Sequence, residues 1–160
     1  MKSWKTFLYL FVGETELFTA GILLVTFGTV MMTSQSIVQL LGTYVYFSRI
    51  ILTILSSMAI GGVAIQISSI KRLVDNYVGY VFSTVAFISN SIALVLEIFE
   101  MISYGANWIG IEFFGTQTIS SNSLLMTLGF IIFGFSVVLV LFSLIDLLDV
   151  SFGNGNKGEI

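Results

Sequence analysis

Nine carboxylates and six cationic side chains are all the charge in this 160-residue chain. Where they fall decides what chemistry the chain can do. Glu14 and Glu16 interrupt an apolar stretch near the N-terminus, Arg49 opens a second stretch, Glu97 and Glu100 close a third, and Asp146 and Asp149 close a fourth. A charge at the centre of a lipid-embedded helix costs about 2.5–3.5 kcal/mol on insertion scales, and less near the interface. Each of these groups must therefore be paired, protonated or held at a membrane boundary.

Glu14 and Glu16 are the candidate intramembrane acids. Two residues apart, they point about 200° from each other on a helix and cannot share one partner. If the first span starts at residue 7, Glu14 lies about 10 Å inside the boundary and needs Lys5, Lys71, Arg72, another subunit or a proton. If it starts at Leu17, both are first-turn acids favoured by the helix dipole. Arg49 is expected to form a structural ion pair with Glu97 and Glu100, because the ends of two hairpin-linked spans reach similar depth. The alternative is that one of those carboxylates takes up a proton or a cation from outside. Asp146 and Asp149 fall at the inner interface at the depth of Lys71 and Arg72, where pairing is again the expectation. No further oxygen-ligand pattern supports a Ca²⁺ or Mg²⁺ site there.

The chain has no His and no Cys. It therefore brings neither the usual ligands for haem, zinc, copper or iron–sulfur clusters nor a His- or Cys-based nucleophile system. No catalytic, cofactor-binding or metal residues are assigned, and lipid or quinone in a groove between helices is left open. No basic patch points to nucleic acid.

The elements that must place these charges follow from composition. Hydrophobic residues make up 56% of the chain and charged ones 9%, against about 25% charged in a soluble domain, and the mean hydropathy is +1.02. Uncharged runs of about 20 residues or more read as membrane spans. The fold class expected is an all-α integral membrane protein, a four-transmembrane-helix antiparallel bundle. Its spans fall at about 7–32, 48–70, 76–100 and 124–148, the second clearest as Ile50–Ile70. The single membrane domain covers 1–150, with an outer loop at 103–123 and a flexible polar tail at 151–160. An uncleaved first span is expected, because no small-residue cleavage pattern follows the N-terminal apolar stretch. Lys2, Lys5, Lys71, Arg72 and Lys157 fall on one side and Arg49 alone on the other, so both termini are expected in the cytoplasm, in a multi-pass protein of the cell membrane.

In lipid, helices associate through small residues and interhelical polar contacts. The third span steps by three and four through Ser83, Ala86, Asn90, Ala93, Glu97 and Glu100, which predicts its packing face. The second offers Ser57, Gly61, Ala64 and Ser68. The fourth places Gly129, Ser136 and Ser143 seven apart, and the first Glu14, Gly21 and Gly28 seven apart, as suits a left-handed bundle. Aromatic residues gather toward the outer side, among them Trp108 in the long loop. Aromatic belts account for most of them, and the loop cluster could also serve as a docking surface.

The first functional expectation is a non-catalytic accessory subunit of a larger membrane complex, respiratory or otherwise energy-converting. Other membrane subunits would be its partners, and any catalytic groups would lie on them. The alternatives are a small proton or ion transporter or channel using intramembrane Glu, and a self-assembling membrane-shaping or envelope protein.

Overall fold

The computed structural model describes residues 2–32, 49–71, 75–109, 112 and 123–152, with side chains at 4–25, 50–70, 75–109, 112 and 126–152. Among these residues the chain is helical throughout: α1 spans Lys2–Met32, α2 Arg49–Lys71, α3 Asn76–Tyr104 and α4 Ser123–Phe152. All four are long and apolar enough to cross a membrane. With no proline in the chain, no helix is obliged to break, and a continuous helix satisfies every interior backbone group within itself, as lipid demands. α1, α3 and α4 begin or end outside the expected limits: α1 starts five residues before position 7, and α4 continues through Ser151 and Phe152. The rest of the proposed tail, most of the outer loop and Arg72 lie outside the described residues.

Local chemistry sets both ends of α3. Asp75, in an extended conformation, accepts a hydrogen bond on Oδ1 from the Tyr77 amide at 2.9 Å, capping the N-terminus. At the other end Gly105 takes φ +67°, a conformation that costs glycine little, and its amide closes the helix on the Met101 carbonyl. A short 3-10 turn, Gly105–Asn107, then leads into Trp108 and Ile109.

Each helix packs on its sequence neighbour, α1 on α2, α2 on α3 and α3 on α4, while α1 and α4 touch only sparsely. The register is antiparallel and in step. Ser83 of α3 meets Ser68 of α2, and Asn90, seven residues on, lies over Gly61, seven residues back. Likewise Asn90 meets Ser143 of α4, and Glu97 meets Ser136. Seven residues are close to two helical turns, so the same faces meet again at each repeat.

The distribution of side chains is the reverse of a water-soluble protein's. Phe7, Phe11, Phe18, Phe99, Phe130 and Phe152 are exposed, while Glu16, Ser68, Ser83, Asn90, Glu97, Ser136, Ser143 and Asp146 are buried. An outward belt of large apolar groups over an interior that mixes apolar, small and polar residues fits a bundle solvated by lipid. Two apolar clusters bracket the polar interior. One joins Tyr9, Ala64, Ile65 and Ala86, and the other runs from Ala20 and Met58 to Ala93, Trp108 and Leu139.

Candidate functional site: a buried polar file

The buried face of α3 consists of Gly79, Ser83, Ala86, Asn90, Ala93, Glu97 and Glu100. Every one after Gly79 belongs to the stripe read from three- and four-residue spacing. Those positions gather partners from the other helices at successive depths. At the end where α1 begins, Asp149 accepts from Lys5 Nζ at 3.3 Å and from the Tyr9 hydroxyl at 3.2 Å. One turn deeper, Asp146 Oδ2 accepts from Ser83 at 2.8 Å and Ser68 at 2.9 Å, and the two hydroxyls also touch each other. Each hydroxyl has one proton to give, so three contacts share two serine protons.

The middle of the file is built around Gly61. Asn90 Nδ2 donates to Ser143 Oγ at 2.6 Å, and Ser143 in turn donates to the Leu139 carbonyl at 2.8 Å. The Glu16 carboxyl of α1 lies beside Asn90. A Cβ at position 61 would collide with Asn90 Oδ1 and would sit 2.8 Å from Glu16 Oε1. Glycine there is what lets α1 and α3 approach each other across α2. Among the described residues, neither Glu16 oxygen nor Asn90 Oδ1 receives a hydrogen bond.

Farther along, Ser136 donates to Glu97 Oε1 at 2.8 Å while Glu97 Oε2 is left without a donor. Glu100 then lies beside the carboxyl of Glu112, and its Oε2 has no hydrogen-bond partner among the described residues. Trp108 covers this end, packed so closely on α4 that a Cβ on Gly129 would lie 3.0 Å from its indole nitrogen. From Asp149 to Glu100 the file rises about 30 Å at 1.5 Å per residue, the thickness of a bilayer's hydrocarbon core.

Several sequence expectations change in this arrangement. Glu14 and Glu16 do face opposite ways, but Glu14 is exposed and receives the Gln66 side-chain amide, whereas Glu16 is the fully buried acid. The packing seam of α1 accordingly passes through neither Glu14 nor Gly21. It is Tyr9, Gly13, Glu16 and Ala20, all buried, with Gly13 and Gly62 bringing the α1 and α2 backbones together. Gly21 instead faces open space, and the side chain of Gly28's turn lies outside the description. On α2, Gly61, Ala64 and Ser68 are buried and Ser57 is half-buried. Asp149 is paired with Lys5 of α1; Arg72 and the side chains of Arg49 and Lys71 lie outside the described residues, so their expected pairings do too. Trp108 is buried and unavailable as an outward docking anchor.

The α1 seam had a signal in the sequence, a four-three-four step from Tyr9 to Ala20, but it competed with the seven-residue spacing of Glu14, Gly21 and Gly28. Glu112, which sits in the long loop, had none. Among the described residues no three carboxylates converge as a metal-ligand set. An apolar groove lined by Leu17, Ala59, Val63, Ala64 and Phe82 opens where α1, α2 and α3 meet. Set beside known proteins, the chain matches no family model, no curated protein and no solved structure.

Proposed function

We propose that this protein moves a proton or small cation across a membrane through the polar interior of its four-helix bundle. The observation that carries the reading is the file itself: carboxyls and hydroxyls from all four helices stand in one line about as long as a bilayer is thick, buried from Asp146 to Glu100 and partly exposed at Asp149. Helices in lipid can be tied together by serine and asparagine alone, at about 0.6 kcal/mol per contact. Buried glutamates are a costlier choice, and Glu16 and Glu97 hold oxygens without a hydrogen-bond partner among the described residues. Intramembrane carboxyls turned toward a bundle interior are the usual furniture of ion and proton pathways. The distribution of basic residues supports an orientation with both termini in the cytoplasm.

The test is flux into liposomes that hold only this protein, followed by an internal pH dye and by a sodium-sensitive dye. Wild-type protein should carry one of the two ions down its gradient. Glu97→Gln should reduce the flux to the protein-free baseline, and Glu14→Gln, on the outer face, should leave most of it. Wild-type liposomes as tight as empty ones would remove the proposal.

A second reading, the accessory subunit, is favoured by the outer face of α1. There an exposed Glu14 stands with Phe18, Gly21 and Ile22, and a Cβ on Gly21 would meet nothing within 4 Å among the described residues. A polar group and a gap on a lipid-facing helix suit a helix of another subunit; a second copy in that place would serve the self-assembling alternative. Mass spectrometry of the particle isolated in mild detergent separates these. Foreign subunits that disappear with Gly21→Phe support the accessory reading, a homo-oligomer lost with the same change supports self-assembly, and a monomer excludes both.

A further inference from the structure

The centre of the file holds buried acceptors without matching donors among the described residues. Ser143 commits its only proton to the Leu139 carbonyl, so it can only accept from Asn90, and this fixes Nδ2 of Asn90 toward α4. Oδ1 of Asn90 is thereby turned to Gly61 and the Glu16 carboxyl. Three acceptor oxygens, two from Glu16 and one from Asn90, then share a buried space, and among the described residues none of them is satisfied, the Asn90 amide beside Glu16 being given to Ser143. Left so, each oxygen bears the cost of an unmet buried acceptor.

We propose that Glu16 and Asn90 form the loading site of the file and that its occupant is the proton: the Glu16 carboxylate takes up a proton and, as the acid, donates it to Asn90 Oδ1. One proton satisfies two of the three, the Glu16 oxygen that carries it and Asn90 Oδ1. A hard metal ion fits poorly, because calcium seeks about 6–8 oxygens and magnesium an octahedral set, and the wall opposite is glycine at 61 and 62. Backbone carbonyls inside these continuous helices are already spent on their own helix. Among the described residues no cationic side chain is at hand to take the proton's place. On α1, Glu14 faces away and is bonded to Gln66 of α2. The described face of α2 carries no charged residue. On α3 the nearest ionisable group is Glu97, about 10.5 Å along the helix. On α4 it is Asp146, held by Ser68 and Ser83.

This inference rests on the carrier reading for its role, but the site has a signature of its own. Infrared spectra of the detergent-solubilised protein, in water and in heavy water, should show a protonated carboxyl stretch that shifts on deuteration. That band should be missing from Glu16→Gln and should move to higher frequency in Asn90→Ala, where the acid loses its acceptor. Glu16→Gln should stay folded, since the glutamine amide donates to the same Oδ1, yet show no proton flux. Glu16→Asp should restore part of the flux. A wild-type carboxyl spectrum unchanged by Glu16→Gln would overturn the site. Sodium flux without proton flux would overturn the choice of ion while leaving the carrier reading intact. Leak-tight liposomes with the infrared band in place would remove the carrier reading and leave the Glu16 proton site standing.

Discussion

Gly61 does at the residue scale what no other residue could do. Asn90 and Glu16 occupy the space where its side chain would be, so the bundle's central polar contact depends on an absent methyl group. Gly61→Ala forces one of them aside, and overpacking a filled interior costs about 1–3 kcal/mol. We expect a lower thermal midpoint and a loss of flux although no ionisable group has been removed. A variant with wild-type flux and stability would show that α1 and α3 need not meet there. The identity of the working acid is also a residue-scale matter, and one that the sequence leaves undecided. Glu14 and Glu16 are the same residue type two positions apart, and the rotation of α1 decides which of them turns inward. That rotation is set by the contact of Gly13 with Gly62 and Gln66, a relation between two helices that no pattern within one of them contains.

At the scale of the element, α3 is the spine, the helix on which the polar partners of α2 and α4 converge. Its face was legible because its polar residues are few and fall at three- and four-residue steps against an otherwise apolar helix. α1 and α4 gave less. α4 is apolar nearly all round, and a helix of that kind betrays its inward side only through rare residues such as Ser136, Ser143 and Asp146. Between the polar levels of α3 stand Ala86 and Ala93, both buried, which keep the space between rungs small-sided. Ala93→Leu adds volume between Asn90 and Glu97 without touching either acid. Proton flux should fall while the Glu16 carboxyl band stays, a combination that separates a blocked path from a lost site. Unaltered flux would mean that protons do not pass that point.

Over the whole molecule, four spans were plain from hydropathy, and the structure has four helices long and apolar enough to cross a membrane. What composition could not supply was the order of packing. α1 meets α4 chiefly through one end, where Asp149 gathers Lys5 and Tyr9. The ion pair is partly exposed, and such pairs contribute about 0–1 kcal/mol. Asp149→Asn should therefore lower the thermal midpoint only slightly, and less in high salt than in low, because the lost term is the screened one. A large loss would mean that the contact holds the bundle shut by more than charge.

The neighbour-to-neighbour packing also fixes an order in time. α1 can settle on α2, and α2 on α3, as each emerges during synthesis, since every partner is already made. Lys5 and Tyr9 wait longest: their acceptor lies 144 and 140 residues downstream. Until Asp149 is translated, the first-made end of the protein has no hold on the last. A ribosome-stalled chain that stops after α3 should therefore resist proteolysis as a three-helix unit whose N-terminal turn can still be cut.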